Sequence, residues 1–239
     1  NVGGPELLQI CCGADNVKAG GKFPVAMIGA QVYATAKDHV TIEGVVTIKK
    51  GKLRGYESYG MLCSGTELGL NEDLYPGAGY NGLLVLPEDA EIGADVKEIT
   101  GLNDWIFDVS ITANRPDCQS IFGLAREVAA ALGQPLKMPA LDYTETEAEK
   151  TGFDVTVEAP DLCPRYIAHY VYDVKLAQSP AWMRRRLALV GNNSISNIVD
   201  ITNYIMRELG QPLHAFDCDY LEGNAICVRR ATEGEKIVT

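Results

Sequence analysis

The chain has 239 residues, 46% of them hydrophobic, with 21 basic and 32 acidic side chains and a formal net charge of −11. This composition excludes a disordered chain and argues against binding nucleic acid through overall charge, although a local basic face remains compatible with it. No apolar run is long enough for a membrane helix. Because the first residue is not Met and no signal pattern follows it, we expect a piece of a longer polypeptide.

The seven cysteines form no C-x-x-C pair, and their number is odd. A disulfide framework or a zinc knuckle is therefore not predicted. We expect reduced, mostly buried thiols in a cytoplasmic protein.

Residues 1–102 predict short strands separated by glycines, a pattern typical of a small β-barrel or sandwich. The candidate strands cover residues 7–12, 24–28, 45–48 and 83–87. A short helical turn is predicted over residues 65–70.

Residues 103–150 differ in pattern from the first segment. An alternating strand is predicted over residues 106–111. A helix follows, with Asp117 as its N-cap and Gly133 after its last residue. Its apolar positions, from Ile121 to Leu132, form one stripe. Residues 135–150 are polar and acidic and predict a linker.

Residues 151–239 predict a mixture of helices and strands. The candidate strands are residues 154–158, 166–171 and 226–229. One helix is expected to begin at Ser179-Pro180 and end at Gly191. A second is expected to end at Gly210.

The stretch from Gly77 to Gly82 matches the dinucleotide-binding pattern G-x-G-x-x-G. That site requires a strand before the glycines and a helix after them. Neither is predicted here, so we interpret the stretch as a glycine-rich loop. The run Arg184–Arg186 is interpreted as a solvated helix face, since consecutive side chains fan around a helix.

The one dense basic cluster of the first segment contains Lys49, Lys52 and Arg54. A solvated loop is one interpretation of such a run. The other is a patch that contacts phosphates, locally positive on an acidic body.

His214 follows a predicted helix end and Pro212. A structural histidine explains this position without any function. Metal binding with Cys218 lacks further ligands at suitable spacing, so no metal site is predicted. Thr202 lies on the preceding predicted helix. If the connection through Gly210 is tight, its hydroxyl and the imidazole face one pocket.

Four stretches together resemble the β subunits of bacterial phenylalanyl-tRNA synthetase. They are residues 12–20, 53–70, 111–129 and 197–217, in the order found in that family. The resemblance implies an α+β, multidomain fold. Residues 1–102 would form an OB-fold β-barrel of the tRNA-binding type, incomplete because its first strands would precede Asn1. Residues 103–150 would form a small α/β connector, and residues 151–239 the start of an α+β editing domain.

The resemblance also implies a function. The family forms an α₂β₂ heterotetramer, a phenylalanine–tRNA ligase that binds tRNA(Phe). Aminoacylation, with ATP and Mg²⁺, occurs on the α subunit, and these residues would bind no cofactor. The β subunit would hydrolyse Tyr from mischarged tRNA(Phe), because an apolar pocket for phenylalanine rejects an added hydroxyl only weakly.

By the same resemblance, Thr202 and His214 would line the editing pocket and Pro212 would shape its wall, with a further acidic residue beyond Thr239. Lys49, Lys52 and Arg54 would contact tRNA. The alternative is a non-catalytic tRNA-binding or subunit-assembly module. A free-standing tRNA-binding barrel protein would share the style of residues 1–70 but would lack the segment 211–214.

Overall fold

The computed structural model describes residues 1–144 and 152–237 as a mixture of short helices and small two-stranded sheets. Contacts divide the chain into two compact units. The first unit comprises Asn1–Ser110 and Gln178–Asp200, and the second comprises Ile111–Ala177 and Ile201–Thr239. None of the described helices combines the length and hydropathy that crossing a bilayer requires.

The first unit contains three antiparallel strand pairs. They are β1 (Val25–Met27) with β6 (Gly60–Leu62), β2 (Gln31–Thr35) with β3 (Ile42–Thr47), and β4 (Gly51–Leu53) with β5 (Tyr56–Ser58). The predicted strands at 24–28 and 45–48 are thereby confirmed. Each of these strands pairs with a single neighbour, so the strands described here do not close into a barrel.

Two predicted strands of this unit are wrong. Residues 7–12 and 83–87 run beside other segments but make isolated hydrogen bonds, such as that from the Leu84 N–H to the Cys63 carbonyl at 3.1 Å. The Asn16 side-chain amide occupies both backbone groups of Leu83, at 2.8 and 3.0 Å. A ladder cannot form at that residue because its donor and acceptor are already used.

The predicted helical turn is confirmed as a 3₁₀ turn over Thr66–Leu68. The Ser64 N–H donates to Glu67 Oε2 at 2.7 Å, and the Glu67 N–H donates to Ser64 Oγ at 3.2 Å. These reciprocal bonds are the capping-box arrangement. A short helix that the sequence did not predict, α1 (Val96–Thr100), follows later and is capped by the Asp95 side chain.

The apolar core of the first unit consists of two clusters. The first contains Ala26, Val32, Ile48 and Cys63, and the second contains Leu70, Ala78 and Leu84. Gly65 is required beside the second cluster, because a Cβ at this position would lie 2.3 Å from the Ala78 carbonyl oxygen.

Helix α3 (Ala181–Leu189) brings a charged side chain into the first unit. Arg184 is 4% exposed and donates to the Glu72 carbonyl at 2.8 Å and to Asp73 Oδ1 at 3.3 Å. The expected solvated face is therefore wrong for Arg184. Nη1 of the buried guanidinium is paired with a carboxylate and a carbonyl, as a buried charge requires, whereas its buried Nε has no hydrogen-bond partner among the described residues. The helix begins one residue later than expected, with Pro180 at the N-cap position.

Asp200 is fully buried in the first turn of α4 (Asn197–Leu209), a helix that confirms the sequence prediction. The Ser194 hydroxyl donates to Asp200 Oδ2 at 2.5 Å, and the Ile195 N–H donates to Oδ1 at 2.9 Å. Burial alone would raise the pKa of this carboxyl, but its hydrogen bonds, including those from Ser194 and Ile195, hold the pKa below its usual value. The buried carboxylate is therefore satisfied in its ionised form.

The second unit contains α2 (Ile121–Leu132) and one parallel strand pair, β7 (Asp154–Val157) with β8 (Ala225–Val228). Helix α2 ends at Leu132 and is followed by Gly133 with φ of 61°, as predicted, but its N-cap is Ser120, whose Oγ accepts from the Gly123 N–H at 3.0 Å. Asp117 is the wrong N-cap because it lies in a preceding 3₁₀ turn and binds Arg115 instead.

Further expectations for these segments differ from the structure. Residues 106–111 and 166–171 form no strand, because neither segment belongs to a hydrogen-bonded ladder within the described ranges. The stripe on α2 is not a buried face, since Ile121, Val128 and Leu132 are each more than half exposed. Residues 135–144 have no regular secondary structure, and the rest of the expected linker, 145–150, lies outside the described residues.

All seven cysteines are free, but only Cys63 and Cys118 are buried, so the expectation of mostly buried thiols is wrong. Burial raises the pKa of the Cys63 thiol to about 12, with a smaller contribution from Glu67. Burial also raises the pKa of Cys118. Both thiols are therefore protonated at neutral pH.

Candidate functional site

The basic cluster of the sequence lies on a β-hairpin, which we call the basic hairpin (residues 49–58). Strands β4 and β5 pair so that Lys52 faces Glu57 and Leu53 faces Tyr56. Arg54 and Gly55 form the two-residue turn, with φ of 49° and 93°. Two successive positive φ angles are typical of the turns that match strand twist, and glycine adopts the second without steric cost.

One carboxylate lies within the basic hairpin, and it is already paired. Lys50 Nζ lies 2.9 Å from Glu57 Oε1 and 4.7 Å from the centroid of the Tyr59 ring, and the Tyr59 hydroxyl donates to Glu57 Oε2 at 2.6 Å. The hydrogen bond from Tyr59 and then that from Lys50 lower the pKa of Glu57. The hydrogen bond to Glu57 raises the pKa of Lys50. Lys50 is thus already paired with a carboxylate of the same chain.

The three cations predicted to contact tRNA differ from Lys50 in their exposure and pairing. Lys49, Lys52 and Arg54 are all exposed, and none of them has an ion pair within the part of the chain that the structure describes. Four cations and one carboxylate leave the basic hairpin locally positive, although the whole chain is acidic. The structure therefore brings these three residues together on one exposed element.

An aromatic side chain that sequence reasoning missed lies beside these cations. Tyr56 is 68% exposed at the end of the hairpin, and its cross-strand partner Leu53 is 49% exposed. The sequence signal that could have located Tyr56 is the Arg54-Gly55 dipeptide. This dipeptide is typical of a two-residue turn, and such a turn places Leu53 and Tyr56 opposite each other.

The candidate editing residues all lie in the second unit. Thr202 is half-buried on α4, which ends at Leu209 and is followed by Gly210 with φ of 79°. Pro212 and His214 follow on an exposed segment without regular secondary structure. The His214 ring packs against Phe216, with centroids 4.5 Å apart and planes inclined by 59°.

Asp117, Cys118 and Glu127 place their ligand atoms within 4.8 Å of one another. Arg115 occupies this cluster, with Nη2 at 2.9 Å from Asp117 and at 2.5 Å from Glu127. Its hydrogen bond lowers the pKa of Asp117 to about 2, while the raised pKa of Cys118 keeps that thiol protonated. The carboxylates thus serve an ion pair, and a protonated thiol is a poor metal ligand.

The glycine-rich stretch 77–82 is confirmed as a loop, preceded by a turn and followed by residues 83–87, which have no regular secondary structure. The N–H groups of Gly77 and Gly79 donate to Glu72 Oε2 at 2.9 and 3.3 Å. The backbone donors that would bind a phosphate in a nucleotide site are used here by a carboxylate of the chain itself.

Comparison with known proteins shows what the chain is similar to. The family model described as "B3/4 domain" matches residues 162–239. Proteins named phenylalanine–tRNA ligase β subunit match almost the whole chain. The protein of Syntrophus aciditrophicus is 47% identical over 99% of this chain, and that of Fusobacterium nucleatum is 47% identical over 100% of it. The protein of Nitratidesulfovibrio vulgaris is 48% identical over 100% of this chain.

The chain spans 28% of the length of each of these relatives. The match extends over both units and over all four stretches that carried the resemblance in the sequence. The comparisons confirm that resemblance: over its whole length the chain is similar to part of the phenylalanine–tRNA ligase β subunits.

Proposed function

We propose that this chain is the part of a phenylalanine–tRNA ligase β subunit that contributes a tRNA-binding surface and part of a hydrolytic editing site. The observation that carries the proposal is the match to these β subunits over 99–100% of the chain. The basic hairpin supports tRNA binding, because three exposed cations that have no ion pair among the described residues suit contacts to phosphates. The matched B3/4 region, residues 162–239, contains all three candidate editing residues.

The proposed architecture follows the sequence boundaries. Residues 1–102 constitute a tRNA-binding domain of OB type, residues 103–150 a connector, and residues 151–239 the first part of the editing domain. The three antiparallel pairs of the first unit support the first assignment, because OB folds are built from short antiparallel strands. An α₂β₂ assembly with the synthetase α subunit, located in the cytoplasm, completes the proposal.

In this assembly the α subunit aminoacylates tRNA(Phe) with ATP and Mg²⁺, and we assign no residue of this chain to either. The β subunit removes Tyr from mischarged tRNA. Thr202 and His214 line the editing pocket, and Pro212 shapes its wall. We assign His214 to positioning the attacking water or the terminal ribose. Its contact with Phe216 restricts the imidazole, and a fixed geometry is what positioning requires.

The editing part is tested by His214→Ala in the complete heterotetramer. We expect hydrolysis of Tyr-tRNA(Phe) to slow by about 100-fold and charging with phenylalanine to stay nearly intact. His169→Ala is the matched control, since His169 is also an exposed histidine of the second unit. Unchanged Tyr-tRNA hydrolysis in His214→Ala would overturn the assignment.

The binding part is tested by changing Lys49, Lys52 and Arg54 to glutamine in the same assembly. Loss of up to three phosphate contacts should reduce the slope of log affinity for tRNA against log salt by about 2. Changing Lys18, Lys37 and Lys97 instead removes the same charge from other exposed positions of the first unit. An equal reduction of the slope in both variants would show that overall charge, and not the basic hairpin, determines the affinity for tRNA.

The second candidate function is a non-catalytic tRNA-binding or assembly module. The basic hairpin would serve such a module equally well. This second candidate function predicts that the hairpin variant weakens tRNA binding, whereas His214→Ala changes neither editing nor charging. The two tests together therefore separate the candidates.

A further inference from the structure

We infer that Tyr56 is a stacking platform for an unpaired RNA base, so that the tip of the basic hairpin binds a single-stranded part of its RNA partner. This inference rests on the proposed RNA binding by the same hairpin. It adds the structural class of the RNA and a contact that involves no charge.

The exposure of the ring is the first argument. Tyr56 is 68% exposed although it is the first residue of a paired strand, β5. Its cross-strand partner Leu53 is also largely exposed, and the tight turn at Arg54 and Gly55 leaves both at the end of the hairpin. Opposed side chains in an antiparallel pair lie on one face. The tip therefore carries a small exposed apolar face.

The placement of charge is the second argument. Lys52 precedes Leu53 on β4, so this cation and the Leu53–Tyr56 pair belong to adjacent rungs of the ladder, about 3.4 Å apart along the strand but with side chains on opposite faces. Arg54 lies in the turn itself. Glu57, the nearest carboxylate in sequence, is held by Lys50 and Tyr59. An RNA strand bound at the tip therefore meets Arg54 in the turn and Lys52 on the opposite face of the hairpin, two cations that have no ion pair among the described residues.

The combination of ring and cations selects the partner. Proteins that bind single strands combine a positive surface with exposed aromatic rings, on which bases stack. A base in a duplex has both faces covered by its neighbours and cannot stack on a side chain. An acidic protein surface would satisfy the cations but would not require an aromatic ring. The exposed ring thus favours an RNA with unpaired bases.

The test measures binding of two labelled RNAs to the full 239-residue chain by fluorescence anisotropy. One probe is an oligouridylate of about 12 nucleotides, within the range of single-strand site sizes, and the other is a duplex RNA of equal length. Tyr56→Ala should weaken oligouridylate binding by about tenfold and leave duplex binding unchanged. Because the lost contact is uncharged, the salt slope should not change, whereas Lys52→Gln should reduce it by about 0.7.

Two variants serve as controls. Tyr56→Phe keeps the ring and should retain the affinity. Tyr80→Ala removes a ring that is 61% exposed in the same unit, beside the loop in which Glu72 binds the Gly77 and Gly79 N–H groups. It should have no effect on either probe. Since Tyr56 is exposed, its replacement by alanine should leave the folded state intact, which circular dichroism would check.

Three results would overturn the inference. They are unchanged oligouridylate affinity in Tyr56→Ala, an equal loss for the duplex, or an equal loss for polyglutamate, which has charge but no bases and stands for an acidic protein partner. If Lys52→Gln weakens RNA binding and Tyr56→Ala does not, the proposed tRNA contact survives and only stacking fails. If neither variant matters, the proposed RNA contact of the hairpin fails as well.

Discussion

The two units bury apolar surface very differently. The first unit has two clusters of buried residues around its strand pairs. In the described part of the second unit, the buried apolar residues are Cys118 and Ala159. The basic hairpin thus extends from a unit with a core of its own, whereas the candidate editing residues lie in a unit whose described residues bury little apolar surface.

The kind of sheet in each unit explains why the two units differ in buried apolar surface. Antiparallel pairs such as β1–β6 tolerate one solvated face, whereas parallel strands are normally covered on both faces. In the β7–β8 pair, Asp154, Val155 and Thr156 are all exposed. The comparison teaches that the local stability of this chain is concentrated in the first unit, and three predictions test that difference.

The largest effect is expected from a core truncation. Leu84→Ala, at a residue that is 1% exposed, should lower the free energy of unfolding by about 3 kcal/mol through lost burial and a cavity. Leu162→Ala removes the same atoms from a residue of the second unit that is 71% exposed, and should cost less than about 0.5 kcal/mol. Chemical denaturation measures both. Similar losses would contradict the concentration of stability in the first unit.

A smaller, pH-dependent effect is expected at Asp200, the last residue of the first unit. The pKa of Asp200 is lowered in the folded state, so the carboxylate stabilises the fold above its unfolded pKa of about 3.9. This contribution is lost as pH falls through the lower, folded pKa.

Asp200→Asn should therefore cost about 2 kcal/mol at neutral pH, since it removes hydrogen bonds to a charged group. The difference from the unchanged protein should shrink in acid. Denaturation series at several pH values provide the measurement, and a difference that does not depend on pH would exclude an ionised Asp200.

The smallest effect should appear in the reactivity of the two buried thiols. Cys63 reports on the first unit and Cys118 on the second. The rate of reaction with a thiol reagent is divided, for each cysteine, by its rate in the denatured chain, which removes differences in intrinsic reactivity. On this scale Cys118 should react severalfold faster than Cys63. Local opening costs less where fewer apolar contacts must break. Mass spectrometry would identify the modified residue, and earlier labelling of Cys63 would reverse the comparison.

Sequence patterns identified elements whose signals are local. Helix α4 has a continuous apolar periodicity, and β7 alternates over a short run, so both were predicted. The candidate strands at 7–12 and 106–111 have comparable patterns but lack a partner strand. A strand exists only when a second segment completes its ladder, and single-sequence patterns do not contain that information.

The same limit applies to the sites. The cluster of Lys49, Lys52 and Arg54 could be found from composition, because adjacent residues share an element whatever the fold. Arg184 was misjudged because its partner Asp73 lies 111 positions away in the sequence. Tyr56 was missed because its exposure depends on the hairpin register. The roles of Thr202, Pro212 and His214 came from resemblance and remain predictions.

Our proposal that tRNA binding and hydrolysis of Tyr-tRNA involve residues of different units is tested by one kinetic experiment. In the assembled heterotetramer, the rate of Tyr-tRNA(Phe) hydrolysis is followed as a function of enzyme concentration under single-turnover conditions. We expect that changing Lys49, Lys52 and Arg54 to glutamine raises the concentration needed for half the maximal rate and leaves that rate unchanged. We expect His214→Ala to lower the maximal rate and to leave the half-maximal concentration unchanged. Loss of maximal rate in the hairpin variant, or none in His214→Ala, would contradict this division.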